Sequence, residues 1–254
     1  MEFAYDCDMV DQPKVSVIIP TLNEEETLPG VLAHLQTLTP SVDEVIVIDG
    51  GSEDGTIEIA NHYGCTVLIS RKQSRSIQLD LGAREASGDF LVFLHADTWV
   101  PDDLVERVTH VLSKEKNKLG AFVSVMRGER LRVWFSFLNY IKTYLCPLFY
   151  RPVSFLRGRL LLLFGDQVMF CRKQDYLEIG GFDTSMAVME EADFCMRMSK
   201  LGRTRMVHRF VFSSDRRVAE WGFWKANRIY WFITFGWAFG ANHRKMADLY
   251  TDIR

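Results

Sequence analysis

Four short runs of this chain are almost wholly apolar, broken only by Ser16 and Thr66: VSVII (15–19), VIVI (45–48), CTVLI (65–69) and FLVFL (90–94). A strand that shows one face to water alternates apolar with polar residues, whereas a strand without alternation is predicted to be buried on both faces. Stretches with helical spacing separate the runs. From Glu24 to Leu38 the apolar positions are Leu28, Val31, Leu32, Leu35 and Leu38, one stripe of an amphipathic helix. Further helices are predicted over Glu53 to Tyr63, with Ser52 as N-cap, and around Ser76 to Ala86. Another follows Pro101, where Asp102 and Asp103 suit a first turn. Buried strands alternating with helices specify an α/β fold, a mostly parallel sheet sandwiched by helices.

The second half changes character. GAFVSVM (120–126) reads as a strand, followed by apolar and aromatic stretches at 131–149 and 153–164, separated by Arg151-Pro152. A strand near Gln167 to Cys171, helices near Lys173 to Ile179 and Glu190 to Leu201, and a strand near Arg205 to Val207 come next. A last long helix is predicted over about 219–240. There is no repeat, low-complexity tract or linker, so residues 14–254 read as a single domain behind an acidic, loose tail at 1–13.

The net charge of −3 gives no basic face for nucleic acid. The five cysteines are scattered, which fits a reducing, cytoplasmic setting better than a disulfide framework or a zinc site. The N-terminal stretch lacks a signal pattern. Trp221 to Ala241 is aromatic-rich but carries Lys225, Asn227 and Arg228, too costly for a membrane crossing.

In an open parallel sheet, ligands bind beyond the carboxyl ends of the strands. Three of those ends are polar here: Pro20-Thr21-Leu22-Asn23-Glu24, Asp49-Gly50-Gly51 and His95-Ala96-Asp97. Taken singly, Asn23 could cap a helix and Asp49 complete a turn. Asp97 is the candidate ligand for Mg²⁺ or Mn²⁺, which take carboxylate oxygen and leave other positions to water and phosphate. His95 is a second candidate ligand, or a hydrogen-bonding or turn residue. Arg75 could meet phosphate. Glu190-Glu191-Ala192-Asp193 begins a predicted helix, where acids suit the macrodipole or one carboxylate serves as general base. Adjacent residues do not share a helix face, so only one of Glu190 and Glu191 is expected to point into a site. Asp166 and Gln167, at a strand entry, could hydrogen-bond a ligand or form a turn.

VSVIIPTLNEEETL (15–28), DEVIVIDGGSEDGT (43–56), GDFLVFLHADT (88–98) and the Gly-Gly-Phe turn with its acidic pair (180–191) resemble the family 2 glycosyltransferases of GT-A fold. The HAD variant, FGDQ (164–167) and RKQSRSIQLDLG (71–82) are similar to a compact branch known as selenodomain-associated transferases. The resemblance implies inverting sugar transfer from a nucleoside diphosphate sugar, assisted by Mn²⁺ or Mg²⁺. Residues 14–127 would form the nucleotide-sugar half, 128–218 the acceptor half and 219–254 a helical extension. Pro20, Asn23, Glu24, Asp49 and Gly50 would line the nucleoside pocket, and Asp97 would hold metal and diphosphate. His95 stands where many relatives have the first Asp of an Asp-x-Asp motif, and Glu191 where relatives have a catalytic Asp. Arg216 and Arg217 fall near a basic pair that meets the diphosphate. Asp166, Gln167, Gly181 and Phe182 would face the acceptor.

Two other readings stand beside the transferase. A catalytically silent sugar-nucleotide-binding protein would share the fold, with His95 and Glu191 replacing the usual aspartates. A nucleotidyltransferase would want a Gly-rich loop with Arg and Lys after the first strand, where this chain has Pro-Thr-Leu-Asn-Glu-Glu. The aromatic segments 131–150, 153–164 and 221–232 are either packed core or a membrane-surface contact, with Lys225, Arg228, Arg157 and Arg159 facing anionic lipid. The second case would suit a lipid-linked hydroxyl acceptor.

Overall fold

The computed structural model describes residues 12–128, 133–238, 240 and 246. The four apolar runs form β1 (Val15–Thr21), β2 (Glu44–Asp49), β3 (Thr66–Ile69) and β4 (Phe90–Phe93), and they pair in parallel. β5 (Asn117–Arg127) and β7 (Arg203–Ser214) are likewise parallel to each other. The short β6 (Phe170–Arg172) lies between β4 and β5 and is antiparallel to both. One sheet results, in the order β3-β2-β1-β4-β6-β5-β7, with only β6 reversed among the described strands.

Burial on both faces of β1 follows from the alternation of its side chains. Val15, Val17 and Ile19 join Leu32 and Leu35 of α1 (Leu28–Thr37) and Val108 of α4 (Leu104–Leu112) in one core cluster. Ile18 points the other way, into a second cluster with Leu79 and Ala83 of α3 (Arg75–Glu85) and Phe194 of α8 (Glu190–Met198). α3 lies close enough to the sheet that a Cβ on its Gly82 would come within 2.4 Å of the Ile48 side chain. Between these elements run α2 (Thr56–His62), which precedes β3, and α7 (Lys173–Glu178), which follows β6. The aromatic stretches form α5 (Val133–Tyr150), α6 (Pro152–Leu156), α9 (Arg216–Trp221) and α10 (Phe223–Ala238).

Several sequence expectations are corrected. β3 is an edge strand rather than a buried one, with Ile69 57 % exposed. Pro20 does not end β1: its neighbour in β2 is a parallel partner, and the strand runs on to Thr21. Ser52 does not cap α2, which starts after Gly55; its hydroxyl is held by Asp49 instead. β7 is far longer than Arg205 to Val207, because it pairs along the whole of β5 across a bulge. The long helix expected at 219–240 is split at Gly222, whose φ of +74° favours glycine and ends α9. Asp103 lies just before α4 rather than within its first turn, bonded to Arg107 and Arg209.

The tail expected at 1–13 lies outside the described residues up to residue 11, as do 239, 241–245 and 247–254 of the expected extension. Among the described residues no helix is long and apolar enough to cross a membrane. The aromatic segments divide between both readings of them. Phe135 and Ile233 are buried, while Phe149, Leu156 and Trp224 are each more than three-quarters exposed.

Candidate active site

Every strand but β6 points its carboxyl end toward one edge of the sheet, and a cleft of about 450 Å³ opens there. That is the size of a small-molecule site. The end of β1 and the turn after it put Pro20 and Glu24 on the rim of the cleft, and the turn after β4 supplies His95 and Asp97. Arg75 enters from the start of α3, Glu190 and Glu191 from the start of α8, and Asp166 from the turn before β6. These sequence-predicted residues therefore share one space.

Asn23, Asp49 and Gly50 stand behind that rim. Asp49 is fully buried, and its carboxylate accepts from Thr21 Oγ1 at 3.1 Å, from the backbone N–H groups of Gly51 and Ser52 at 2.8 Å each, and from the Ser52 hydroxyl. Asn23 adopts a left-handed backbone (φ 53°), a conformation its short amide tolerates. Its Oδ1 accepts from Glu53 N–H at 2.9 Å while its own N–H donates to Ser52 Oγ at 2.8 Å. The Gln78 amide, buried beside Gly50, donates to the carbonyls of Thr21 (2.8 Å) and Ile48 (2.7 Å). It thereby locks the ends of β1 and β2 together.

Asp97 owes its position to long-range pairing. Just beyond it, Trp99 and Phe212 of β7 exchange backbone hydrogen bonds of 2.9 Å in both directions. β7 then leads into Arg216, whose guanidinium donates to Asp97 Oδ2 at 3.0 Å and to both oxygens of Glu24 at 2.9 and 3.1 Å. Burial raises the Glu24 carboxyl above its ordinary value, against the lowering effects of Thr27 and Arg216. A hard divalent cation fits Asp97, since such ions bind through one or two carboxylates and take their other ligands from phosphate and water. Among the described residues no cluster of three His, Cys, Asp or Glu side chains provides a full cage. His95 turns its Nε2 toward the Arg75 guanidinium in a close hydrogen bond, so that lone pair is engaged by the arginine rather than open to a metal ion.

Arg75 also explains a departure at α8. Its Nη2 lies 3.1 Å from Glu191 and its Nε 3.9 Å from Glu190, so both glutamates face the cleft although they are adjacent in sequence. Long side chains on adjacent helix positions can still converge on one guanidinium, and Met189 before them takes a left-handed φ of 65°. Glu190 is 4 % exposed, and burial together with the Glu191 charge pushes its carboxyl up to about 8.

On the acceptor side Asp166 accepts from Ser124 Oγ at 2.7 Å and Asn139 Nδ2 at 2.6 Å, and burial raises its carboxyl. Gln167, Gly181 and Phe182 are not on the cleft wall. The Gln167 amide is spent on Thr143 and the Phe164 N–H, and Phe182 packs among Phe93, Tyr176 and Phe194. Gly181 abuts Asp80 and Tyr176. Two residues the sequence reading passed over also shape the site. Gln78 is a polar residue in the buried stripe of α3, and Lys142 is the one charge in the 18 residues of α5; each anomaly was visible in the pattern.

The family model for glycosyl transferase family 2 matches residues 16–174. A Haemophilus influenzae protein described as an uncharacterized glycosyltransferase is 26 % identical over 190 residues, covering 72 % of this chain and 61 % of its own. A Borreliella burgdorferi cholesterol galactosyltransferase is 32 % identical over 171 residues, covering 65 % of this chain and 46 % of its own. This chain thus spans less than two thirds of either relative. Among solved structures, glucosyl-3-phosphoglycerate synthase of Mycobacterium tuberculosis superposes with a TM-score of 0.63 at 23 % identity, over 91 % of this chain and 80 % of that one. The strand-end motifs, the sheet they close and a model match over more than half of the residues agree: this chain belongs to glycosyl transferase family 2.

Proposed function

We propose that the chain moves a sugar from a nucleoside diphosphate donor to an acceptor hydroxyl, with inversion at the anomeric carbon. The observation that carries this reading is the meeting of Asp97 with the Glu190–Glu191 pair in one cleft, where a leaving-group site and a base are both needed. The mycobacterial synthase with the same fold was solved with Mn²⁺, uridine diphosphate and phosphoglyceric acid. In this chain Asp97 would hold Mn²⁺ or Mg²⁺, which would supply charge compensation for the departing diphosphate. Arg216, within 3.0 Å of Asp97, is placed to bond the same phosphates.

The two glutamates divide the proton work. Held up to about 8, Glu190 keeps its proton at neutral pH. Glu191 faces the Arg75 guanidinium at 3.1 Å. An ionised Glu191 accepts the proton of the attacking hydroxyl as oxygen approaches the face opposite the diphosphate, through a transition state of oxocarbenium character. Arg75 sets the orientation of that carboxylate.

A lipid-linked acceptor, met at a membrane surface, would fit the exposed side of the acceptor half. Exposed Trp134, Phe149, Leu156 and Trp224 share α5, α6 and α10 and their turns with Arg151, Arg157, Arg159, Lys225 and Arg228. Residues 133–164 and 222–238 hold no acidic residue. Apolar side chains ringed by cations suit an anionic interface. Liposome flotation tests this: failure to float with anionic vesicles refutes surface binding.

For the transferase itself, a thermal-shift screen of nucleoside diphosphates with and without Mn²⁺ is decisive. Ligand at about 100 times its Kd stabilises a fold by about 2.7 kcal/mol, so one base should raise Tm in a metal-dependent way. If none does, the donor assignment fails. Binding without donor turnover would instead identify a silent sugar-nucleotide-binding protein.

A further inference from the structure

Lys142 is 8 % exposed, lines the cleft from α5, and lies on the same helix face as Asn139, one turn away. Its Nζ sits 4.6 Å from the centre of the Phe164 ring and 5.7 Å from that of Tyr230. Among the described residues no carboxylate reaches ion-pair distance of it, in contrast to Arg75 and Arg216, which both rest on glutamate or aspartate. The carboxylate in its field is Asp166, which is instead bonded to Ser124 and Asn139. Burial lowers the pKa of the Lys142 ammonium. Ring faces offset only part of what a buried ammonium loses on leaving water. A lysine kept there without a carboxylate partner is a point charge awaiting an anion.

We propose that Lys142 is the anion-binding residue of the acceptor subsite and that the acceptor carries a phosphate group. The inference rests on the transferase reading of the cleft, and it narrows the acceptor class. Phe135, Leu138 and Trp231 line the same chamber, so apolar chain and phosphate can be held together: rings take the chain and the ammonium takes the head. The phosphate belongs either to a lipid headgroup or to a small soluble acceptor, and the two sources separate by experiment.

Wild type, Lys142→Met and Lys142→Arg are titrated with decyl phosphate and with glycerol 3-phosphate, with and without Mn²⁺ and the stabilising nucleoside diphosphate. Lys142→Met should weaken the bound probe by roughly 30-fold or more, Lys142→Arg should restore most of the affinity, and nucleotide affinity should stay unchanged. Binding of decyl phosphate alone assigns a lipid headgroup; binding of both assigns a soluble phosphate. If neither probe binds wild type, or Lys142→Met binds as wild type does, the proposal is overturned. Loss of nucleotide affinity in Lys142→Met also overturns it, because the lysine would then serve the donor. Absence of nucleotide binding in wild type sinks the transferase reading, and the titration without nucleotide still judges Lys142. Should Lys142→Met fail to fold, amine acetylation of wild type read by mass spectrometry decides. Bound probe must protect Lys142, and unchanged labelling refutes its role.

Discussion

On the wall built from β1, β2 and α3, Asp49, Asn23 and Gln78 are bonded to neighbouring strand ends, whereas on the wall built from α5 and α10 Lys142 lies against ring faces. The first wall is complete without a ligand. Its polar groups are spent on holding backbone carbonyls and turns in place, which presents a preformed rim. The second wall keeps a charge in reserve, and its helices carry exposed rings at Trp134, Phe149 and Trp224. The contrast teaches that donor and acceptor sides are stabilised differently. Substitutions on the strand-end wall should register as lost stability, and those on the helical wall as lost binding. The junction between the walls, where Asp97, Arg75 and the glutamates meet, should register as lost turnover.

The largest expected effect is at that junction. Glu191→Gln should lower transfer by about 10²- to 10⁴-fold while nucleotide binding persists; donor turnover measured beside thermal shift checks this, and near-normal turnover removes Glu191 as the base. Asp97→Asn should lower transfer by about 10²- to 10³-fold and abolish the metal dependence of the nucleotide-induced Tm shift. A retained metal dependence would move the cation elsewhere.

Glu190 sharpens the comparison through pH. Its folded pKa of about 8 lies above the ordinary 4.5, so between those values the folded state binds more protons than the unfolded one. Stability therefore falls as pH rises through that window, by on the order of a few kcal/mol. Urea midpoints at pH 5.5 and 8.5 should show this decline in wild type and a flatter profile in Glu190→Gln; parallel profiles refute it. On the strand-end wall, Gln78→Leu should cost about 1–3 kcal/mol of stability, read by urea denaturation, with metal affinity kept. On the helical wall, Trp224→Ala should weaken binding to anionic vesicles by about fivefold with Tm unaltered. A stability loss there as large as at Gln78 would erase the distinction between the walls.

Much of the strand-end wall was legible in the sequence. Almost wholly apolar runs announce strands covered on both faces, and β1, β2 and β4 bear this out because each residue's environment is set by its own alternation. Edge position is not encoded that way, so β3 was misjudged. The strand expected near Gln167 to Cys171 is β6, but its direction was not legible: three residues carry none, and its reversal is set by pairing with β4 and β5. The cleft rim was readable at Pro20, Glu24, His95 and Asp97, since strand ends are local features. Lys142 and Gln78 stood out as polar residues on buried helix positions, but their roles were not legible, because what lies opposite them is set by packing.

The chain's local patterns were sufficient to specify the alternating layers, the family motifs and Asp97 at the mouth of β4, since these depend on periodicity and on residues within a few positions of one another. Tertiary structure alone decided that Arg216 bridges Glu24 and Asp97, that Arg75 draws both glutamates inward, and that Lys142 shares their cleft. The ion-pair partners among these are 115 (Arg75 to Glu190) to 192 (Glu24 to Arg216) positions apart, and Lys142 joins them only through packing. Charge interactions depend on distance through space, which periodicity along the chain does not record.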